Sequence, residues 1–276
     1  MRVEAGKVAE FARAVGDDRP HAADRPAPVT FLATAFHWSR PFDALMDALG
    51  TDADHALHGR QRYAFCRPLR AGDELSAEVR HAATYEKTGR RGGALRFHVL
   101  RTVFTDDSAA PVAVAEATVV HTSVPFSVQA STSPPAADPA PASGIGPGAW
   151  AWGPITLTDI VRYAGASGDF TALHHDPEVA ARLGLHRVFA MGMLTAGVLG
   201  RYATARLGDG AIAALDLRFH DKTWLGDTVV CTSEDAGSGA GRTGPDATTH
   251  AFTARDQTGR LLVSAVAATV ADLPPS

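Results

Sequence analysis

Two residue types able to move protons stand five residues apart in the segment Ser167-Gly168-Asp169-Phe170-Thr171-Ala172-Leu173-His174-His175-Asp176-Pro177. A carboxylate at Asp169 and an imidazole at His174 could hold one water between them and relay its protons. Each also has a plainer use: an aspartate after glycine commonly serves as a turn or cap residue, and a single histidine as a satisfied polar group. Downstream, Phe189-Ala190-Met191-Gly192-Met193-Leu194-Thr195 opens an apolar run at Gly192. If that run is a helix, its first amides lack partners within it and can stabilise negative charge developing on an oxygen. Glycine would let a ligand come close to the backbone there. Other chemistries find less support. His174-His175-Asp176 offers metal-ligand types, but adjacent side chains diverge and no second cluster has ligand spacing. The run Gly237-Ser238-Gly239-Ala240-Gly241 lacks a phosphate-loop lysine and reads as a loose hairpin loop. No G-x-S-x-G elbow is present for a serine hydrolase.

The elements that must position these residues can be read in the second half of the chain. Thr156 or Thr158 can cap a helix carrying Ile160, Val161 and Tyr163 and ending near Gly165–Gly168. Asp176-Pro177-Glu178 has the cap residue, first-position proline and first-turn acid of a helix start, with Gly184 as its stop. A helix apolar nearly all round follows over Gly192–Leu207, so it should be buried. Strand-like segments come next at 211–220, 227–235, 248–256 and 261–271, with Asp256-Gln257-Thr258-Gly259 turning between the last two.

The first half repeats this order. A short helix is expected over Ala5–Val15, then a buried helical run from Thr30 broken or bent at Pro41, then strands near 60–67, 73–86, 93–105 and 111–122. Gly72-Asp73 matches Gly226-Asp227. Between the halves, 125–148 is dominated by proline, alanine, serine and glycine and reads as a linker. The expected organisation is therefore α+β: a first unit over 1–124, the linker, and a second unit over 149–276. A helix wrapped by an antiparallel sheet, written twice, suggests a tandem (double) hot-dog that pairs within one chain, alone or as a homodimer. Asp17 falls at the place of Asp169, but Ala22 falls at that of His174 and the stretch equivalent to 176–184 is missing. The first half should therefore lack its own active site, with His21 on a solvent-exposed loop.

The segment from Gly168 to Pro177 resembles the motif of the MaoC-like (R)-specific enoyl-thioester hydratase/dehydratase family. That motif has an aspartate, an asparagine two residues on, a proline three on and a histidine five on. Asp169 and His174 match, Thr171 and Ala172 replace the asparagine and proline, and Met191 stands where a histidine usually precedes the glycine. The resemblance covers most of the chain and makes the first half a degenerate partner unit. It implies a hydro-lyase of fatty acid metabolism that interconverts 2-enoyl and (R)-3-hydroxyacyl thioesters of CoA or an acyl carrier protein, without a further cofactor. Asp169 and His174 would be catalytic, Gly192 and Met193 would bind the thioester oxygen, and Thr171 would supply part of the missing asparagine's hydrogen bonding. A low rim on the first half would admit a medium-to-long or branched acyl group, with Phe31, Phe36 and Trp38 as candidate lining. A hot-dog thioesterase and a non-catalytic dehydratase subunit are the alternatives; Thr171, Ala172 and Met191 favour the latter.

Bulk composition, 45% hydrophobic and 20% charged, is normal for a soluble globular protein. The chain has 276 residues and a net charge of −4, with no basic block to hold nucleic acid. Cys66 and Cys231 are its two cysteines, too few for a disulfide framework, which suits a reducing cytoplasm. Glu4, Lys7, Glu10 and Arg13 argue against a secretory leader, and no uncharged apolar run approaches the roughly 20 residues of a membrane span.

Overall fold

The computed structural model describes residues 1–20, 24–39, 47–51, 55–89, 93–123, 146, 148–233 and 247–270, apart from the side chains of 37–39, 247 and 270. His21, most of the 125–148 linker and 237–241 lie outside these residues. The first half contributes α1 (Ala5–Ala14), α2 (Ala33–Ser39), β1 (Ala56–Phe65), β2 (Ser76–Thr88), β3 (Ala94–Thr105) and β4 (Pro111–Thr122). The second contributes β5 (Trp150–Trp152), α3 (Leu157–Ser167), a 3-10 turn at Ala172–His174, α4 (Pro177–Arg182), β6 (Phe189–Ala190) and α5 (Gly192–Leu207). After α5 come β7 (Ile212–Phe219), β8 (Thr223–Trp224), β9 (Val229–Ser233), β10 (Ala247–Arg255) and β11 (Leu261–Val270).

The main strands form one antiparallel sheet in the order β2-β3-β4-β1-β7-β11-β10-β9-β5, and β6 pairs with β8 apart from it. The halves therefore join edge to edge through β1 and β7, Gln61 opposite Leu217 and Tyr63 opposite Leu215. Arg60 is bonded to Asp216 across this seam. Joining two edges removes two rows of unpaired backbone groups that would otherwise need water or another chain.

Equivalent turns show the repeat at atomic detail. Gly72 donates its amide to the carbonyl of Val3, and Gly226 does the same to Ile155, each at 2.8 Å. The carbonyls of Asp73 and Asp227 accept from the amides of Val3 and Ile155 in return, again at 2.8 Å. Each aspartate carboxylate accepts the amide three residues before it, Arg70 or Trp224, at 2.8 Å. Gly72 and Gly226 sit at φ +99° and +93°, where a side chain would be strained. Matching glycine–aspartate pairs in two unrelated domains would not reproduce this reciprocal pattern. The turns at Asp106 and Asp256 correspond as well: each carboxylate accepts the amide and hydroxyl of the residue two on, Ser108 or Thr258.

The expected elements recur with shifts that have local causes. Thr156 caps α3 in a reciprocal box with Asp159, and Gly168 ends it at φ +84°. Asp176 caps α4 by accepting the amides of Glu178 and Val179. The helix expected from Thr30 begins at Ala33 after hydrogen-bonded turns, and 40–46 lie outside the described residues. The strand expected at 227–235 starts at Val229, and β8 precedes it as a separate two-residue strand, because Asp227 is spent on its turn. β5 was not among the expected strands; it extends the sheet edge by pairing with β9.

The long helix α5 is buried from Leu194 to Gly200, and its partners lie in the first half as well as the second. A Cβ on Gly197 would overlap Cγ1 of Val15, just past the end of α1. Glycine thus lets the two halves close on each other. Gly197→Ala is expected to destabilise the protein by about 1–3 kcal/mol through overpacking. In a Val15→Ala background the Cγ1 overlap is gone, while the Cβ of residue 15 remains 3.2 Å away, so the same change should cost less, offset by up to roughly 1 kcal/mol that alanine has over glycine in a helix. Urea unfolding of the four variants measures this; an equal cost in both backgrounds would disprove the contact.

Candidate active site

A cavity of about 320 Å³ opens between the halves, a volume that suits a small-molecule ligand. Asp169, Thr171 and His174 reach it from the loop after α3, Gly192 and Met193 from the start of α5, and Phe36 from α2. The loop is tied down residue by residue. Ser167 Oγ donates to the Tyr163 carbonyl at 2.8 Å and accepts the Asp169 amide at 3.2 Å. Asp169 Oδ1 accepts both the Thr171 hydroxyl at 2.7 Å and the Thr171 amide at 3.2 Å. Threonine therefore does support the carboxylate from the position where the family motif has asparagine, and both bonds fall on one oxygen.

His174 is oriented by the small β6–β8 ribbon. Its Nδ1 lies 2.8 Å from the Phe189 carbonyl, and its ring meets the Phe189 ring edge-on at 4.8 Å between centroids. A carbonyl can only accept, so Nδ1 carries the proton. In the neutral ring Nε2 is then the basic nitrogen. Phe189 pairs with Trp224 across the ribbon and packs on its ring, so the histidine's anchor is itself held in place.

Gly192 is the first residue of α5, capped by the buried Met191. A Cβ on Gly192 would come 3.1 Å from two atoms of the Phe219 ring, so the glycine lets β7 lie close against the helix start. The amides of Gly192 and Met193 belong to the first turn, where no intrahelical acceptor exists. They supply donors and the positive end of the helix dipole at one wall of the cavity.

The aromatic residues expected to line an acyl pocket separate. Phe36 lines the cavity. Phe31 does not: it is a core residue 1% exposed, packed edge-on to Phe11 at 5.5 Å, because it precedes α2 on the turn that faces α1. The side chain of Trp38 lies outside the described residues. The sequence reading missed Tyr163, Gln61 and His58, which also line the cavity. Tyr163 was legible as an apolar helix residue, whereas Gln61 and His58 stand on a strand of the other half and carry no local signal.

At the equivalent loop of the first half, Asp17 is buried and committed to arginines. Its carboxylate accepts from Arg19 Nε at 2.9 Å and Nη2 at 2.8 Å, and it is also paired with Arg25. Burial would raise its pKa, but these bonds outweigh that and hold it well below the usual carboxylate range. A carboxylate so paired is a poor base. The space beside it is only about 50 Å³.

Comparison with known proteins matches the two halves to different family models. The family described as "FAS1-like, dehydratase domain region" matches residues 1–115, and "MaoC like domain" matches residues 140–254. The second half thus carries a MaoC-like domain and the first half a FAS1-like dehydratase region. It is 33% identical over 125 residues to a UPF0336 protein of Clavibacter michiganensis, covering 41% of this chain and 80% of that one. It is 31% identical over 72 residues to the mitochondrial 3-hydroxyacyl-[acyl-carrier-protein] dehydratase of Arabidopsis thaliana, covering 26% of this chain and 43% of that one. The chain spans about half the length of most of the curated relatives it matches. A solved structure called "MaoC-like dehydratase" superposes with a TM-score of 0.77 at 24% identity, covering 98% of this chain and 95% of that one. A Mycobacterium tuberculosis protein described as having a double hot-dog fold superposes with a TM-score of 0.64 at 15% identity, covering 98% and 93%. The fold is thus a double hot-dog, a pseudo-dimer within one chain. No helix among the described residues is long and apolar enough to cross a membrane.

Proposed function

We propose that the protein catalyses reversible hydration of a 2-enoyl thioester to the (R)-3-hydroxyacyl thioester, with CoA or an acyl carrier protein as the carrier. The observation that carries this reading is one cavity walled by the Asp169–His174 loop and by the first turn of α5. In the hydration direction, a water is held between the Asp169 carboxylate and His174 Nε2. Its oxygen adds to the β-carbon while the π electrons shift to the thioester oxygen. The amides of Gly192 and Met193 stabilise the resulting enolate. The proton lost by the water passes through the Asp169–His174 pair to the α-carbon, so atoms and charge balance without a metal or redox cofactor. Dehydration is the same path reversed.

The acyl chain would extend along the cavity past Phe36 of the first half. Each methylene buried there is worth about 0.8 kcal/mol, a few-fold in kcat/KM until the space is full. Kinetics with 2-enoyl-CoA of increasing length are therefore expected to rise from crotonyl-CoA to a medium-to-long or branched chain. A steady fall from four carbons upward would contradict an open acyl cavity. Release of free thiol with consumption of substrate would instead identify a thioesterase.

A further inference from the structure

Tyr163 carries a hydroxyl that the proposed reaction does not use. The residue is 1% exposed on α3 and lines the cavity, and its hydroxyl has no hydrogen-bond partner among the described residues. Its ring is held by packing, at 5.6 Å from Phe11, which phenylalanine would provide equally well. Burial, with Tyr63 and the Asp169 carboxylate adding to it, raises the phenol well above its usual range, so the group remains a donor. Helical side chains lean toward the N-terminus of their helix. From Tyr163 that tendency runs toward the start of α3, whereas Asp169 follows the end of the helix.

A second buried polar group faces the same cavity from the other half. Gln61 on β1 is 6% exposed and lines the cavity. Its one described hydrogen bond is long, 3.3 Å from Nε2 to the carbonyl of the next residue. Tyr63, two residues along β1 and so on the same face, is one of the two groups, with Asp169, whose field reaches Tyr163. A purely hydrocarbon tail would leave the Tyr163 hydroxyl unpaired and the Gln61 carboxamide poorly paired, whereas buried polar groups are ordinarily paired.

We propose that Tyr163 and Gln61 form a polar subsite for an oxygen function, a hydroxyl or a carbonyl, carried by the acyl chain beyond its reacting carbons. The inference rests on the reading of the cavity as an acyl-thioester site. Tyrosine donates to the substrate oxygen, and the glutamine carboxamide can donate to a carbonyl or accept from a hydroxyl. The enzyme would thus select an oxygenated acyl chain over its plain counterpart.

Calorimetric binding of octanoyl-CoA and its 5-, 6-, 7- and 8-hydroxy derivatives to the full chain tests this. None of these saturated thioesters has the double bond to be hydrated, so the result is read independently of turnover. At least one hydroxy derivative is expected to bind about tenfold more tightly than octanoyl-CoA. Tyr163→Phe should erase that preference, leave octanoyl-CoA binding equal or tighter, and not lower Tm; Gln61→Leu should erase it too. Equal binding of all five compounds by the wild type, no binding of any, or equal weakening of all by both variants would overturn the subsite. If the preference holds but trans-2-octenoyl-CoA is not hydrated, the hydratase reading falls and the subsite stands. If hydration is seen without the preference, the reverse holds.

Discussion

Asp169→Asn and His174→Ala are each expected to lower kcat for enoyl-thioester hydration by about a thousandfold or more, with the protein still folded. Asparagine can still accept from the Thr171 hydroxyl and amide, so the loop should keep its shape while the negative charge is lost. Alanine at 174 removes the basic nitrogen and the bond to the Phe189 carbonyl, at a partly exposed position where stability depends little on it. The two side chains would hold a single water, so the double variant should be scarcely worse than either single one. Steady-state kinetics of the three variants measure this. Near wild-type turnover in either single variant, or losses that multiply in the double, would remove the shared-water assignment.

The largest expected effect on stability lies at the other loop. Asp17→Ala leaves Arg25, whose side chain is only 13% exposed, with just the more exposed Asp209 at 3.3 Å, and should cost about 3 kcal/mol, the low end for a broken buried pair. The pairing with Arg19 adds little, since that arginine is about half exposed. The pH dependence has a definite sign. The folded-state pKa of Asp17 is depressed below its unfolded value near 3.9, so its contribution is fully present above about pH 4 and is lost as pH falls further. The stability gap between wild type and Asp17→Asn should therefore narrow on going from pH 7 to pH 3. Urea unfolding at the two pH values decides it; a gap that widened in acid would mean that Asp17 is not held ionised by the arginines.

These two aspartates show what could be read from the sequence and what could not. Asp169 and Asp17 are at equivalent places after equivalent helices, and a five-residue spacing to histidine marks the first and not the second. Caps and turns were legible because their signals are local: Thr156 with Asp159, Asp176 before Pro177, and the glycine–aspartate pairs that close both units. That the halves pair within one chain was legible in the repeat; that β1 and β7 form the seam was not. The cavity wall was less legible. Gln61 and His58 reach it from a strand more than a hundred residues away in sequence, and their positions depend on register across the seam. Phe31 was misplaced because an apolar residue near a helix start reads the same whether it faces a core or a cavity; its partner Phe11 lies on a different element. The short β5 and β8 are held by pairing with β9 and β6 and carry too few residues for a period of their own.

The central claim is that water adds across the double bond of a thioester that stays intact. Mass analysis of the product formed from trans-2-octenoyl-CoA in ¹⁸O-labelled water tests it most directly. The expected product is (R)-3-hydroxyoctanoyl-CoA with the label in its 3-hydroxyl group and no free CoA. Labelled octenoic acid with stoichiometric free thiol, or unchanged substrate recovered from a folded protein, would contradict the claim.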